Sequence, residues 1–546
     1  MLTIHRYPGG MGPKLGRWMA MAVSDGAKQR LFNYTVWLIA LWASALNLLN
    51  HHSYPLFTTE VGLLLAGLAI VAVLMGTLVQ VAGTRIGFVF TSLFVAIAID
   101  LNVPLSLINF YMLWAGLAVV AWFLERPLLK LTMAAFGSVL AFQFIALTTG
   151  IGAHQRSEDE TQVRQNTAVP AADRAPIVHL VLDSYIGLDG MALGPAPVQR
   201  LRAEQAAFFA RHGFQVYPKA YSRHVKTINS LPHLFSYGKA PLATTPRNLQ
   251  YYVPAPLDYF TDLDQRGYRI DALLPSYVDL CVKHPMTRCR NYERSGLDSM
   301  RGTAIPASDR ATVFAFTMLQ LTALPSRAAE AMVLGANDLF GLEARRPYDR
   351  PKLLPLVSLD RLEDFTADLA TLQRGEVRLA HLLAPHDPYM LDARCRALPG
   401  RQWLDEHGPG AVDARQAAYA DQVRCLTSRI DRMMAALEAT PAGREAIVVI
   451  HGDHGSRITP VVPFLDGPEL TDLEVLTSHA TLFAIRVPGE NAASIDGAVS
   501  LDELMADFRR REFASAPRPD ASPARVYLMD MQWIPREMRD LPDFAR

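Results

Sequence analysis

IVVIHGDHGSR, residues 447–457, decides how the C-terminal half of the chain is read. Four apolar residues, Ile447 to Ile450, run straight into His451, Asp453 and His454, with Gly452 and Gly455 among them. The apolar run reads as a strand covered on both faces. Adjacent Asp and His at its end are not explained by core packing, and glycines beside them allow a backbone to come close to a ligand. A carboxylate next to an imidazole suits zinc, or a harder divalent cation such as Mn2+ or Mg2+ where oxygen ligands prevail.

The same grammar recurs around this segment. IVHLVL (177–182), GFQVYP (213–218), VRLAHLL (377–383) and TLFAIRV (481–487) are short apolar runs, and amphipathic stretches at 198–212 and 411–438 separate them. That alternation predicts an α/β domain with a largely parallel central sheet, whose ligand site lies at the carboxyl ends of the strands. Three further segments carry chemistry-bearing residues at such places. Asp183 follows the first strand, where an acid by itself is an ordinary helix cap. SRHVKTINSLPHLFSYG (222–238) gathers His224, Lys226, Thr227 and Ser230 ahead of Pro232, as a turn entering a helix whose first amides favour a phosphate or sulfate. A hydroxyl there serves as nucleophile once a metal lowers its pKa. LAHLLAPHDPY (379–389) supplies His381 and His386.

The N-terminal part faces a different solvent. Of 546 residues half are apolar and 19% are charged, and charge is nearly absent from 31–125 but common after 155. Apolar stretches at about 32–49, 61–81, 86–101, 106–124 and 130–150 each approach the roughly 20 residues needed to cross a bilayer. They predict an all-α bundle of five transmembrane helices over 31–150. Arg6, Lys14, Arg17, Lys28 and Arg30 precede the first stretch, Arg85 lies between the second and third, and Arg126 and Lys130 between the fourth and fifth. By the positive-inside rule residues 1–30 are cytoplasmic, and everything after Gly150 is external. A polar linker is expected over 151–176 and the catalytic domain over 177–546. The apolar stretch 311–333, interrupted by Pro325 and Arg327, reads as a helix of that domain or of the membrane surface. The 53 basic and 53 acidic residues cancel, and no basic run is interleaved with aromatics, so nucleic acid is excluded as partner. External placement also permits disulfides, predicted between Cys281 and Cys289 across a short loop and between Cys395 and Cys425 across a polar excursion.

An acid after the first strand, T-x-x-S-x-P, H-x-P-Y and D-H-G, in that order, resemble the motifs of the alkaline phosphatase and sulfatase superfamily. The chain is most similar to the membrane-anchored phosphoethanolamine transferases and lipoteichoic acid synthases, which also join five helices to an external catalytic domain. The resemblance implies that Asp183, Thr227, Asp453 and His454 hold a divalent metal, zinc foremost, and that Thr227 becomes a phosphorylated intermediate. It assigns His386, His381, His479 in TSHATLFAIRVPG, and Lys226 to a second metal or to the substrate phosphate. Asp183 replaces the glutamate usual in the transferases, one methylene longer but still an oxygen ligand. The paired Asp-Asp and C-x-P-x-R of sulfatases proper are missing, which disfavours sulfate-ester hydrolysis through formylglycine.

These readings imply an enzyme of a bacterial inner membrane, with its catalytic domain in the periplasm or outside. It would move a phospholipid head group, such as phosphoethanolamine or phosphoglycerol, to a surface glycan or lipid. The alternatives are a phosphodiesterase with water as acceptor and an inactive scaffold for glycan assembly.

Overall fold

In the computed structural model the residues described toward the N-terminus are 25–51, 54, 56–81, single positions between 87 and 99, 107–123, 130, 131 and 133–141. Toward the C-terminus they are 159, 160, 173–240, 254–292, 310, 353–399, 402–406, 411–458, 470–520, 522–530 and 534–544. The chain divides into two compact units.

The first unit contains α1 (Asp25–His51), α2 (Thr59–Val81) and α3 (Leu107–Phe123). Gly76 of α2 admits the Tyr34 ring of α1 so closely that an added Cβ would lie 2.3 Å from it. Val36, Trp37, Ala72, Met75, Val79 and Ala121 form the small buried core of this unit. Leu63, Ile70, Leu74, Ile108, Met112 and Phe123 point outward and are exposed. Helices apolar on both their inner and outer faces suit lipid rather than water.

The expected five-helix bundle is corrected here. Among the described residues, Leu31–Asn50 and Thr59–Val81 are long and apolar enough to cross a membrane, and Ile108–Phe123 is apolar but shorter. The 17 residues of α3 rise only about 26 Å, short of the roughly 30 Å of hydrocarbon. Much of the expected spans 86–101 and 130–150 lies outside the described residues, as do residues 1–24 and the stretch 311–333.

The second unit is built on a mixed, mostly parallel sheet. Its central strands, β2 (Ile177–Leu182), β7 (Glu376–Leu382) and β8 (Ile447–Gly452), are buried along their whole length. Branched apolar side chains on both faces make them strands covered by helices on each side. The other members are β1 (Asp159–Glu160), β3 (Gln215–Val216), β5 (Arg269–Pro275), β6 (Arg288–Tyr292), β9 (Phe483–Arg486) and β10 (Ala493–Ser494), while β4 (Ala220–Tyr221) pairs with Val499–Ser500 apart from this sheet. Across the sheet the order is β1-β6-β5-β7-β2-β8-β9-β3-β10. β6, β5, β7, β2 and β8 run parallel, while β1 and β9 join antiparallel.

β5 and β6 escape a reading based on apolar runs, because Asp271 and Arg288 interrupt them. Asp271 accepts from Arg288 and Arg378 on the neighbouring strands, so these charges are paired within the sheet. Part of the stretch expected to be linker also belongs to this unit. Asp159–Glu160 pairs with β6, and the Arg174 and Pro176 carbonyls accept from Gly375 and Ile447. The expected helices appear as α4 (Ala196–Arg211) and α6 (Val412–Glu438), and α5 (Thr227–Phe235) follows the turn at Lys226. α7 (Asp472–His479), closed by a Thr471–Glu474 capping box, and α8 (Leu501–Arg510) complete the helices used below. Both predicted disulfides are present, Cys281–Cys289 and Cys395–Cys425.

Candidate active site

Strand register brings the two acids together. Leu182 of β2 pairs with Gly452 of β8, so Asp183 and Asp453 are the next residues on neighbouring strands. The ladder runs on through them, with the Asp183 amide donating to Leu382 and the Asp453 amide to Leu182. Adjacent parallel strands lie about 4.8 Å apart, a spacing that sets two carboxylates around one ion. Ser184 then turns the chain with a left-handed φ of 63°. Its amide donates to Asp453 Oδ1 at 3.0 Å and its hydroxyl to Asp183 Oδ1 at 3.0 Å. A non-glycine residue held in that region at a strand end is a strain that its surroundings must enforce. Tyr419 of α6 does so, accepting from the Ile186 amide and donating to the Ser184 carbonyl.

His454 completes the group. Its Nδ1 lies 2.7 Å from the Gly455 carbonyl. A carbonyl only accepts, so Nδ1 carries the proton and Nε2 keeps its lone pair. Nε2 is 3.5 Å from Asp183 Oδ1 and 3.4 Å from Asp453 Oδ2. Ligand atoms of Asp183, Asp453 and His454 all lie within 4.8 Å of one another.

Electrostatics point the same way. Burial, then the neighbouring Asp453, raises the Asp183 carboxyl. Burial pushes Asp453 up to about 6, although the Thr227 hydroxyl and the amides of Ser184 and His454 oppose the rise. Burial, then Arg457, lowers His454 to about 4, so it is neutral near pH 7. Asp453 Oδ2 is buried without a hydrogen bond of good geometry. Two adjacent carboxylates reluctant to ionise, a neutral imidazole aimed at them and an orphaned oxygen fit a divalent cation, and this donor set suits zinc.

The other expected residues divide by position. Thr227 is the first residue of α5, 4% exposed, with its side chain against the Asp453 carboxylate. Lys226 is the half-buried residue preceding α5. Ser230 caps nothing; its hydroxyl leans on the Thr227 carbonyl at 3.5 Å. His479 ends α7, with Nδ1 2.9 Å from the Ser222 carbonyl, and lies near enough to His454 to feel its charge. Burial lowers it to about 4. His386 stands beside Asp183, with Nδ1 2.7 Å from Asp387 Oδ1. Burial alone would lower His386, but Asp387 and Asp183 raise it to about 9. His381 is set further back, in register with Val181 inside the sheet; its Nε2 has no hydrogen-bond partner, and burial lowers it to about 3.

Two sequence readings change. His451, in the segment that decided the fold, belongs to a buried chain rather than to the acid cluster. Its Nδ1 donates to the Gly452 carbonyl at 2.7 Å. Its Nε2 therefore accepts from His179 at 2.8 Å, and His179 accepts from the Tyr259 hydroxyl at 2.8 Å. Gly455, in turn, admits a backbone rather than a ligand. An added Cβ there would lie 2.3 Å from the Thr477 carbonyl and 2.7 Å from that of Ala480. This close approach carries the end of α7, and with it His479, to the D-H-G turn.

Sequence reasoning passed over several residues that shape the site. Gln422 of α6 accepts from the Met390 amide at 3.0 Å and donates to the Pro385 and His386 carbonyls at 3.1 and 3.0 Å, clamping the H-x-P-Y loop. The Tyr389 and Ser456 hydroxyls, 3.3 Å apart, tie that loop to the D-H-G turn. Arg457 and Glu406 form a buried pair beside it. Only the i, i+3 spacing of Tyr419 and Gln422 on one helix hinted at a shared face.

Among solved structures, the C-terminal periplasmic domain of EcEptC from Escherichia coli, in complex with zinc, matches 68% of this chain and 94% of its own length at 14% identity, with a TM-score of 0.40. A putative sulfatase from Bacteroides thetaiotaomicron matches 66% of this chain and 79% of its own at 12% identity and a TM-score of 0.39. The phosphonate monoester hydrolase of Agrobacterium radiobacter matches 65% and 80% at 12% identity and a TM-score of 0.38. The chain is structurally similar to the alkaline phosphatase and sulfatase superfamily. No family matches it by sequence, and no curated protein does. At these TM-scores the likeness carries nothing about the reaction.

Proposed function

We propose that this chain is a membrane-anchored phosphotransferase that moves a phospholipid head group, of the phosphoethanolamine or phosphoglycerol kind, through Thr227 to a hydroxyl on a surface glycan or lipid. One observation carries the reading: Thr227 opens a helix directly against a buried carboxylate of the Asp183, Asp453 and His454 group. A threonine hydroxyl is a poor nucleophile at neutral pH without activation. A divalent cation held by these residues supplies Lewis acidity, lowering the hydroxyl pKa and offsetting charge on the transferred group.

The chain's residues supply the rest. Asp453 orients Thr227 Oγ, and the first amides of α5 face the incoming phosphate. In the first step Thr227 Oγ bonds to phosphorus and the phosphorus–oxygen bond to diacylglycerol breaks; the diacylglycerol oxygen takes a proton and leaves. In the second, an acceptor hydroxyl displaces Thr227, which regains its proton. His386, held protonated by Asp387 and Asp183, and Lys226, the neighbour of Thr227 in sequence, offer cations to the phosphoryl oxygens. The apolar helices of the first unit support a lipid donor, since they would keep the domain beside the bilayer. In this reading they anchor the chain in the membrane, with the second unit in the periplasm or outside.

The test is to incubate purified protein with phospholipids labelled in the head group and locate any adduct by mass spectrometry. A head-group phosphate on Thr227 that chases onto an added acceptor is expected. Release of free head group without an adduct would instead identify a hydrolase, and neither product would leave a scaffold.

A further inference from the structure

Two groups of ligand-type side chains among the described residues are tight enough for a cation: Asp183, Asp453 and His454, and, beside them, His386, Asp387 and Glu406. Their surroundings differ in kind. In the first group an oxygen and an imidazole nitrogen are left to face each other. In the second, Glu406 is already engaged. Arg457 donates from its backbone amide to Oε1 and from Nε and a terminal nitrogen to Oε2, the latter two at 3.0 Å. Its other terminal nitrogen donates to the Val225 carbonyl at 3.0 Å, two residues before Thr227. Arg457 is 6% exposed and Glu406 4%.

A guanidinium cannot shed its proton in a protein, so this is a permanent positive charge. It acts on both groups: it lowers Asp183 and His454 and is itself stabilised by Glu406, Asp183 and Asp387. A divalent cation ligated by Glu406 would lie within a few ångströms of that charge. It would also have to strip Arg457 of its partner, and an uncompensated buried charge is strongly unfavourable. The segment that presents Asp453 and His454 thus presents a second cation three residues later, pinned at both ends.

We propose that Arg457 takes the place of a second metal ion, so that this site holds one divalent cation and one fixed guanidinium. The inference rests on the reading of the first group as a metal site. It leaves His386 to face the anionic substrate rather than a metal, and sets beside Asp183 and His454 a positive charge that chelators do not remove.

Metal counting tests it without reference to turnover. Full-length protein in detergent is saturated with zinc, freed of weakly held ions by dialysis, and analysed for zinc per chain. One ion per chain is expected for the wild type, and two for Arg457→Met, in which Glu406 is released to join His386 and Asp387. Two ions in the wild type would overturn the inference while leaving the first metal site standing. No ion would overturn both. One ion in a folded Arg457→Met variant would show that the guanidinium does not exclude the second metal, and would overturn the inference too. Should that variant fail to fold, the wild-type count still decides between one ion and two.

Discussion

Asp453 accepts two backbone amides through one oxygen and leaves the other buried without a hydrogen bond of good geometry. Its carboxyl titrates at about 6 in the metal-free fold, against about 3.9 in an unfolded chain. Between those values the folded state keeps a proton that the unfolded chain has lost, so this group makes the metal-free protein less stable as pH rises through the window. A cation needs the anion, so zinc affinity should rise about tenfold per pH unit up to about pH 6 and then level off as Asp453 is ionised. Calorimetric zinc titrations between about pH 5 and about pH 8 will show the bend, and a flat profile would remove Asp453 from the ligand set. Thr227 is tested by comparison with its neighbour. Thr227→Ala should abolish the labelled adduct and lower turnover on the order of 10³-fold or more. Ser230→Ala, which loses only a long bond to the Thr227 carbonyl, should cost about 1 kcal/mol of stability and keep most turnover. The reverse pattern would move the nucleophile to Ser230.

At the scale of elements, α6 holds the site in place from behind. Tyr419, Gln422 and Cys425 fall at steps of three along it, gripping in turn the Ser184 turn, the H-x-P-Y loop and the excursion that follows that loop. Gln422→Leu would leave the Met390 amide and two carbonyls without this partner in a buried place. It should lower stability by about 1–3 kcal/mol in thermal or urea unfolding. Weaker phosphate binding should follow as His386 loosens; unchanged stability would show that the loop holds itself. The Cys395–Cys425 bridge closes 30 residues and Cys281–Cys289 closes 8. Restriction of the unfolded chain grows with loop length, so removing the longer bridge should cost more, about 3–4 kcal/mol against about 2–3 kcal/mol. Paired Cys→Ser variants compared by calorimetry under non-reducing conditions will rank them.

For the whole molecule, the decisive question is on which side of a membrane the second unit lies. Lys and Arg precede the first apolar stretch and recur at Arg85, Arg126 and Lys130, while the loops at 50–60 and 102–105 carry none. On these loop charges, a reporter active only outside the cytoplasm should work when fused after Gln165 and stay silent when fused at Pro127. The opposite result would put the second unit in the cytoplasm and remove the phospholipid head groups of the outer leaflet from its reach. It would also conflict with both disulfides, which persist in oxidising compartments.

Much of this was legible along the chain. Unbroken apolar runs such as IVHLVL and IVVI have few homes other than a covered parallel strand, and residues that follow such strands come to one edge of the sheet. That Asp183, Asp453 and His454 come to one edge of the sheet was therefore readable from position, as were the two cysteine pairs, whose members end short excursions of chain; a role for the three as metal ligands came from the motif resemblance. The number of described helices long enough to span was overcounted, because apolarity was legible but helix length was not. The rest depended on pairing between distant residues. His451 and Asp453 stand two apart on one strand, yet one joins His179 and Tyr259 and the other the acid cluster. Arg457 finds Glu406 and Val225, 51 and 232 positions away, and β5 tolerates Asp271 because Arg288 and Arg378 flank it. Hydrophobic periodicity is a property of neighbours in sequence, whereas the partner of a buried charge is chosen by whichever strand or loop the packed fold sets against it, and only the tertiary structure makes that choice.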